Sequence, residues 1–111
     1  MRPISKPFLV VIDTDPYFKT CARRGADCAG RITIEHAFMY AGRQMDELWA
    51  FLPLCWYHHL GAGLNKRFNQ WLCLARLAVE EIAAIQRKYP NVGWMQLKLS
   101  LGRQFSLRMT K

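Results

Sequence analysis

The placement of its histidines and cysteines constrains this chain more than anything else in it. All three histidines, His36, His58 and His59, fall within 24 residues that also hold Cys55, with Glu35 at the edge of that window and Cys21 and Cys28 shortly upstream. Cys55-Trp56-Tyr57-His58 leaves a two-residue spacer between two metal-capable side chains. That is the spacing at which a tight turn directs two ligands at one tetrahedral centre. Cys21 and Cys28 can supply the other pair, with Gly25 helping the loop to close, although their six-residue spacer exceeds the roughly two to four usual in structural zinc sites. The competing reading makes these cysteines small buried hydrophobes, as free cysteine often is. Cys73 is read that way, since it sits in the apolar run Trp71-Leu72-Cys73-Leu74.

If His58 serves a structural metal, His59 and the Glu35-His36 pair need other roles. Consecutive strand residues point to opposite faces. A histidine beside a carboxylate, with a second histidine near, suits metal-assisted phosphodiester hydrolysis, in which a metal stabilises charge on phosphate oxygens and a neutral imidazole takes a proton from water.

The rest of the composition narrows the setting. A chain of 111 residues with 51% hydrophobic and 22% charged residues has the scale of one domain, residues 1–111, and too much apolar content for a disordered basic tail. Sixteen Lys+Arg against eight Asp+Glu give a net charge of +8, which favours an anionic partner, with nucleic acid first. Phe8 to Ile12 is too short an apolar run for an export signal. Leu64 to Ile85 carries Lys66, Arg67, Arg76, Glu80 and Glu81, which a bilayer-spanning helix would not tolerate. The expectation is a soluble protein of a reducing compartment, without membrane contact and with free or metal-bound thiols.

Periodicity sets the expected elements. Phe8-Leu9-Val10-Val11-Ile12 reads as a strand bounded by Pro7 and Asp13-Thr14-Asp15-Pro16. Arg31 to His36 alternates polar with apolar and reads as a strand ending at His36. Tyr40 to Gln44 reads as a loop, Met45 to Ala50 as a helical turn or two, and Pro53 makes Leu52 extended. Leu64, Phe68, Trp71, Leu72, Ala75, Val79, Ile82 and Ile85 keep one apolar face and predict a long helix from Leu64 to Lys88, closed by Pro90. The tail alternates Met95, Leu97, Leu99 and Leu101, then Phe105, Leu107 and Met109, around Gly102-Arg103, and predicts a terminal β-hairpin. Trp49, Trp56, Tyr57, Trp71 and Trp94 are expected in the core. The class is α+β.

Ile34-Glu35-His36-Ala37, then Ala41-Gly42-Arg43, then Leu52-Pro53-Leu54-Cys55-Trp56-Tyr57-His58-His59 resembles the HNH nuclease family, most closely its phage branch of recombination-enhancing nucleases. The resemblance runs from Cys21 to His59. It implies a small zinc-stabilised ββα-metal, treble-clef-like core over residues 18–75, extended over 76–111 by the helix end and the hairpin. It also implies a phage-derived DNA endonuclease or nickase working in the cytoplasm of a bacterial or phage-infected cell. On that basis His36 resembles the general base. Glu35 and His59 resemble the ligands of a catalytic divalent ion, Mg2+ or another. Cys21, Cys28, Cys55 and His58 resemble the structural zinc set. The family's central asparagine is replaced by Ala50, which leaves its positioning task to another residue, such as Gln44 or a backbone group, or leaves catalysis weak or lost. Gly61 and Gly63 fall where the family's ligand-bearing helix continues, predicting a helix of one turn.

Arg23, Arg24, Arg31, Arg43, Lys66 and Arg67 surround the motif. As a group they are expected to contact DNA phosphates, with Arg43, Arg31, Lys66 and Arg67 preferred as DNA-binding residues and Arg43 first among them. Two other functions compete with the nuclease: a catalytically silent zinc-stabilised module that binds or recruits DNA, and an interaction domain whose helix and tail pair with a second copy or a partner protein.

Overall fold

A computed structural model describes residues 4–61 and 64–109 as an α+β arrangement of short strands and helices. Gly63, part of an expectation above, lies outside the described residues. In chain order the elements are α1 (Lys6–Thr14), a 3-10 turn (Pro16–Lys19), β1 (Ile32–His36), β2 (Met39–Tyr40), β3 (Arg43–Gln44), a second 3-10 turn (Leu48–Ala50), β4 (Phe51–Cys55), α2 (Trp56–Leu60), α3 (Lys66–Ala75), α4 (Val79–Lys88) and α5 (Trp94–Met109). Among them no helix is long and apolar enough to cross a membrane.

The alternating segment ending at His36 is a strand. β1 pairs antiparallel with β4, Ile32 opposite Cys55, Ile34 opposite Pro53 and His36 opposite Phe51. All five residues of β4 are buried, as its apolar run requires. Pro53 has no N–H to give, but its carbonyl accepts from the Ala22 N–H at 2.8 Å and so ties the Cys21 loop to the sheet. α2 follows β4 without a linker and ends at Gly61, whose N–H caps the Trp56 and Tyr57 carbonyls, so this helix has the single turn expected.

Five expected elements are corrected. Phe8–Ile12 is helical, within α1: the Ser5 carbonyl accepts from the Phe8 and Leu9 N–H groups, and Pro7 sits in the first turn, where its missing N–H costs nothing. Thr14 Oγ1 also donates to the Val10 carbonyl at the other end. No strand among the described residues pairs with this segment, so β-branched content loses to local capping. Tyr40–Gln44 is a hairpin, β2 against β3, because Ala41 and Gly42 both take positive φ (53° and 80°), as a type I′ turn requires. Only Leu48–Ala50 of the Met45–Ala50 stretch is helical, as a 3-10 turn.

The single helix expected from Leu64 to Lys88 is two, α3 and α4, broken around Leu77. Glu81 Oε1 accepts from the Ala78 N–H at 2.9 Å and starts α4, while Lys98 Nζ donates to the Leu77 carbonyl at 2.8 Å and satisfies a group the break sets free. The break turns Leu77 into the core. The expected tail hairpin is α5. Trp94, Leu101 and Phe105 are buried, a helical stripe of seven and four residues that places Trp94 and Leu101 on one face only in a helix, while Leu99, inward in a strand with Leu101, is 55% exposed. The extension over 76–111 is therefore two helices. α5 packs against α3 at Gly102, where even an added Cβ would meet the Trp71 ring at 3.5 Å, an ordinary contact.

The core joins β4 to Ala50, Cys73, Leu74, Ile82, Ile85 and Trp94. Trp94 is fully buried and Trp49, Tyr57 and Trp71 pack against the core as expected, but Trp56 is half exposed. Its Cβ instead lies against Gly30, whose φ of +84° and lack of a side chain permit the approach.

Candidate metal centre and adjacent acid–base cluster

The structure brings Cys21, Cys28, Cys55 and His58 together, their ligand atoms all within 4.8 Å of one another. His58 Nδ1 lies 3.5 Å from Cys21 Sγ, 3.6 Å from Cys28 Sγ and 3.2 Å from Cys55 Sγ. A tetrahedral zinc with ordinary Zn–S and Zn–N bonds separates sulfur from nitrogen by about 3.5 Å, so this donor set fits a metal ion such as zinc. Cys21, Cys55 and His58 are buried and Cys28 is exposed, which leaves the cluster open on one side. Cys73, in α3, is buried away from this set, and burial pushes its thiol up to about 12.

Local backbone explains how a six-residue spacer can close. Arg24 takes a positive φ of 45° and its N–H donates to the Cys21 carbonyl, after which the Cys28 N–H donates to the Gly25 carbonyl, giving two successive turns. The Tyr57 N–H bonds the Ala29 carbonyl at 3.1 Å and pins the loop to α2. Burial alone raises the Cys55 thiol, but the N–H groups of His58 and Ala29, then the thiols of Cys28 and Cys21, outweigh it and lower it below its ordinary value. His58 Nε2 lies 3.1 Å from Asp27 Oδ1, so a carboxylate orients the ring and leaves Nδ1 for the metal. Sequence reasoning missed Asp27. Its place one residue before Cys28 was the available signal.

A second cluster forms where β1 meets α2 and α3. Glu35 is buried, its Oε1 3.4 Å from His59 Nε2 and its Oε2 2.9 Å from Lys66 Nζ. Thr33 Oγ1 is hydrogen-bonded to His59 Nδ1 and donates to the Leu54 carbonyl at 3.0 Å. The other His59 nitrogen is thereby the one presented to Glu35.

His36 is not brought to that pair by any hydrogen bond. Its ring lies edge-on to Phe51 at 4.9 Å, and neither ring nitrogen has a partner among the described residues. Burial lowers its pKa, so the imidazole is neutral at pH 7. Two side chains one turn apart on α3 hold the backbone here: Lys66 Nζ donates to the His36 carbonyl at 3.3 Å and Gln70 Nε2 to the Ala37 carbonyl at 3.1 Å. Gln70 went unnoticed in the sequence, which carries no local sign of this contact. Ala50, where a family asparagine was expected, is fully buried, and its carbonyl accepts from the Ala37 N–H.

The basic residues separate. Lys66 is at Glu35, and Arg67 donates to Gln104 of α5 at 3.1 Å. Arg31 is exposed just before β1. Arg43 lines a polar cavity of about 350 Å3 with Asp46, Glu47 and Lys88, and neither Glu35 nor His59 takes part in that lining.

No family model, curated protein or solved structure matches the chain.

Proposed function

We propose that the chain is a metal-dependent DNA endonuclease or nickase of the HNH type, built on a zinc-stabilised ββα core. The observation that carries this reading is the divergence of two adjacent histidines. His58 Nδ1 joins three cysteine sulfurs, while His59 Nε2 lies 3.4 Å from the buried Glu35 carboxylate. A structural metal alone needs only the first of these.

Glu35 and His59 would hold the catalytic ion, one hard oxygen and one imidazole nitrogen from β1 and α2. Such an ion supplies charge stabilisation on a phosphate oxygen. Thr33 fixes the tautomer and direction of His59. His36, neutral because it is buried, is the base that takes a proton from water, and Lys66 and Gln70 fix the backbone carrying it. Its enclosed nitrogens require the covering groups to move before water reaches them.

The second reading, a silent DNA-binding module, has its own support. Lys66 places an ammonium on Glu35 Oε2, where a divalent ion would otherwise compete for the same carboxylate, and His36 is sealed. Plasmid nicking with and without added divalent ion separates the two. The nuclease reading expects ion-dependent nicking, lost in His36→Ala with ion binding retained. It expects His59→Ala to lose ion binding and nicking while keeping the zinc. DNA binding without nicking at any ion concentration selects the silent module.

A further inference from the structure

We propose that Lys19, Arg24 and Arg76 form a track that binds the phosphodiester backbone of a DNA strand alongside the Cys/His loop. The inference rests on the reading above that DNA is the partner, and it places that contact away from Arg43.

Two adjoining cavities, of about 670 and 390 Å3, share Thr20 and Arg24. Lys19 opens onto the first and Arg76 onto the second, and no carboxylate lines either. The two cavities beside β3 and α4 differ in kind: Asp46 and Glu47 line one, Glu47 and Glu81 the other. None of the three cations is in an ion pair among the described residues. All three are exposed.

Their supports are rigid. The Arg76 guanidinium carbon lies 3.4 Å from the centre of the Tyr17 ring, a cation–π contact that holds the group in place, and its five N–H donors exceed what Tyr17 can accept. Arg24 stands on the left-handed residue of the turn that begins at Cys21, so the metal ligands fix its position. Lys19 ends the 3-10 turn that packs against β1 and β4.

Three cations on three separate elements, spread over two open cavities, suit a polymer with regularly spaced charges better than one small anion, which needs donors converging on a point. The preceding residue, Arg23, lies over the Phe68 ring of α3, close in sequence to Lys66 at Glu35. The ten residues of α3 span about 15 Å, or roughly four steps of one DNA strand, so a strand on the track can extend to the Glu35–His59 cluster.

The test is binding of a short labelled DNA duplex by zinc-loaded protein without added magnesium, read by anisotropy across a salt series. Each lost phosphate contact flattens the log–log salt slope by about 0.9 and costs roughly tenfold in affinity near 0.05 M salt. Arg24→Ala/Arg76→Ala should therefore flatten the slope by about 1.8 and weaken binding roughly a hundredfold, whereas Arg43→Ala should change neither. Restoring charge with Arg24→Lys/Arg76→Lys should recover most of the slope, which a merely misfolded variant would not. Lys19→Ala, which keeps the Arg76 and Tyr17 side chains, should flatten it by about 0.9. An unchanged slope in the double alanine variant, a full effect from Arg43→Ala, or a wild type that does not bind at low salt overturns the track. Because no cutting is measured, an inert catalytic centre leaves this result intact, and a failed track leaves the nicking result intact.

Discussion

Replacing Asp27 with alanine should weaken zinc binding without removing a ligand. The Asp27 carboxylate lies 3.1 Å from His58 Nε2, the nitrogen that faces away from the sulfurs. Outer partners of this kind contribute about 10- to 100-fold in metal affinity, by fixing the ring and raising its basicity. Asp27 is 60% exposed, so water screens its charge and competes for the bond, placing the loss near the lower bound: about tenfold, or about 1.4 kcal/mol. Competition with a chromophoric chelator at fixed pH measures this directly. Asp27→Asn keeps an acceptor for the Nε2 proton without the charge and should fall between wild type and alanine. Cys55→Ser, which deletes a buried ligand, should cost far more. Gly25→Ala offers an internal check, since a Cβ at Gly25 would collide with Asp27 Oδ1 and displace it. It should mimic part of the Asp27→Ala effect and add nothing in that background. Zinc affinity unchanged within twofold in Asp27→Ala, or a loss as large as that of Cys55→Ser, would refute the orienting role.

Three further outcomes are expected. Lys66→Met removes the ammonium from Glu35 Oε2 and should raise the affinity of the Glu35–His59 pair for Mn2+, read by titration of zinc-loaded protein; a weaker site would mean that Lys66 organises the carboxylate rather than competing for it. Leu101→Ala empties a fully buried position between α5 and its neighbours and should cost about 2–5 kcal/mol in denaturant unfolding, while Leu99→Ala, on the exposed side of α5, should stay within about 0.5 kcal/mol. Equal effects would point to a strand. Burial holds the Cys73 thiol near 12, so native protein should resist alkylation there; because the folded value lies above the unfolded one, this contribution to stability is present at neutral pH and lost as pH rises past about 9. A Cys73→Ala variant with the same alkaline stability slope would contradict it.

The sequence was most legible where chemistry and spacing coincide. Cys55-x-x-His58 placed a turn, and the strand ending at His36 needed only local alternation. The longer range was poorly legible because the competing signals were equivalent. Leu101 and Phe105, four residues apart, satisfy both a two-residue and a helical period, and buried Trp94, seven residues before Leu101, together with exposed Leu99 tells them apart. The break between α3 and α4 has no glycine or proline to mark it; it depends on Glu81 reaching back to Ala78 and on Lys98 reaching across from α5. At the site, Gln70 and Lys66 act through backbone carbonyls 33 and 30 residues away, contacts that no local pattern encodes. Asp27 was closer to hand, a carboxylate beside a cysteine, but its partner His58 is likewise distant in sequence.

The five residues of α2 have a mechanical consequence. An α-helix turns about 100° per residue, so His58 and His59 are sorted to different centres by helical phase alone. With one turn and a Gly61 stop, α2 has little length of its own to resist rotation about its axis. The bond from His58 to the thiol cluster acts as a set screw on that rotation. Loss of a metal held there would let α2 roll and carry His59 off Glu35, so an ion at the Cys/His set would govern how His59 meets Glu35 without touching either.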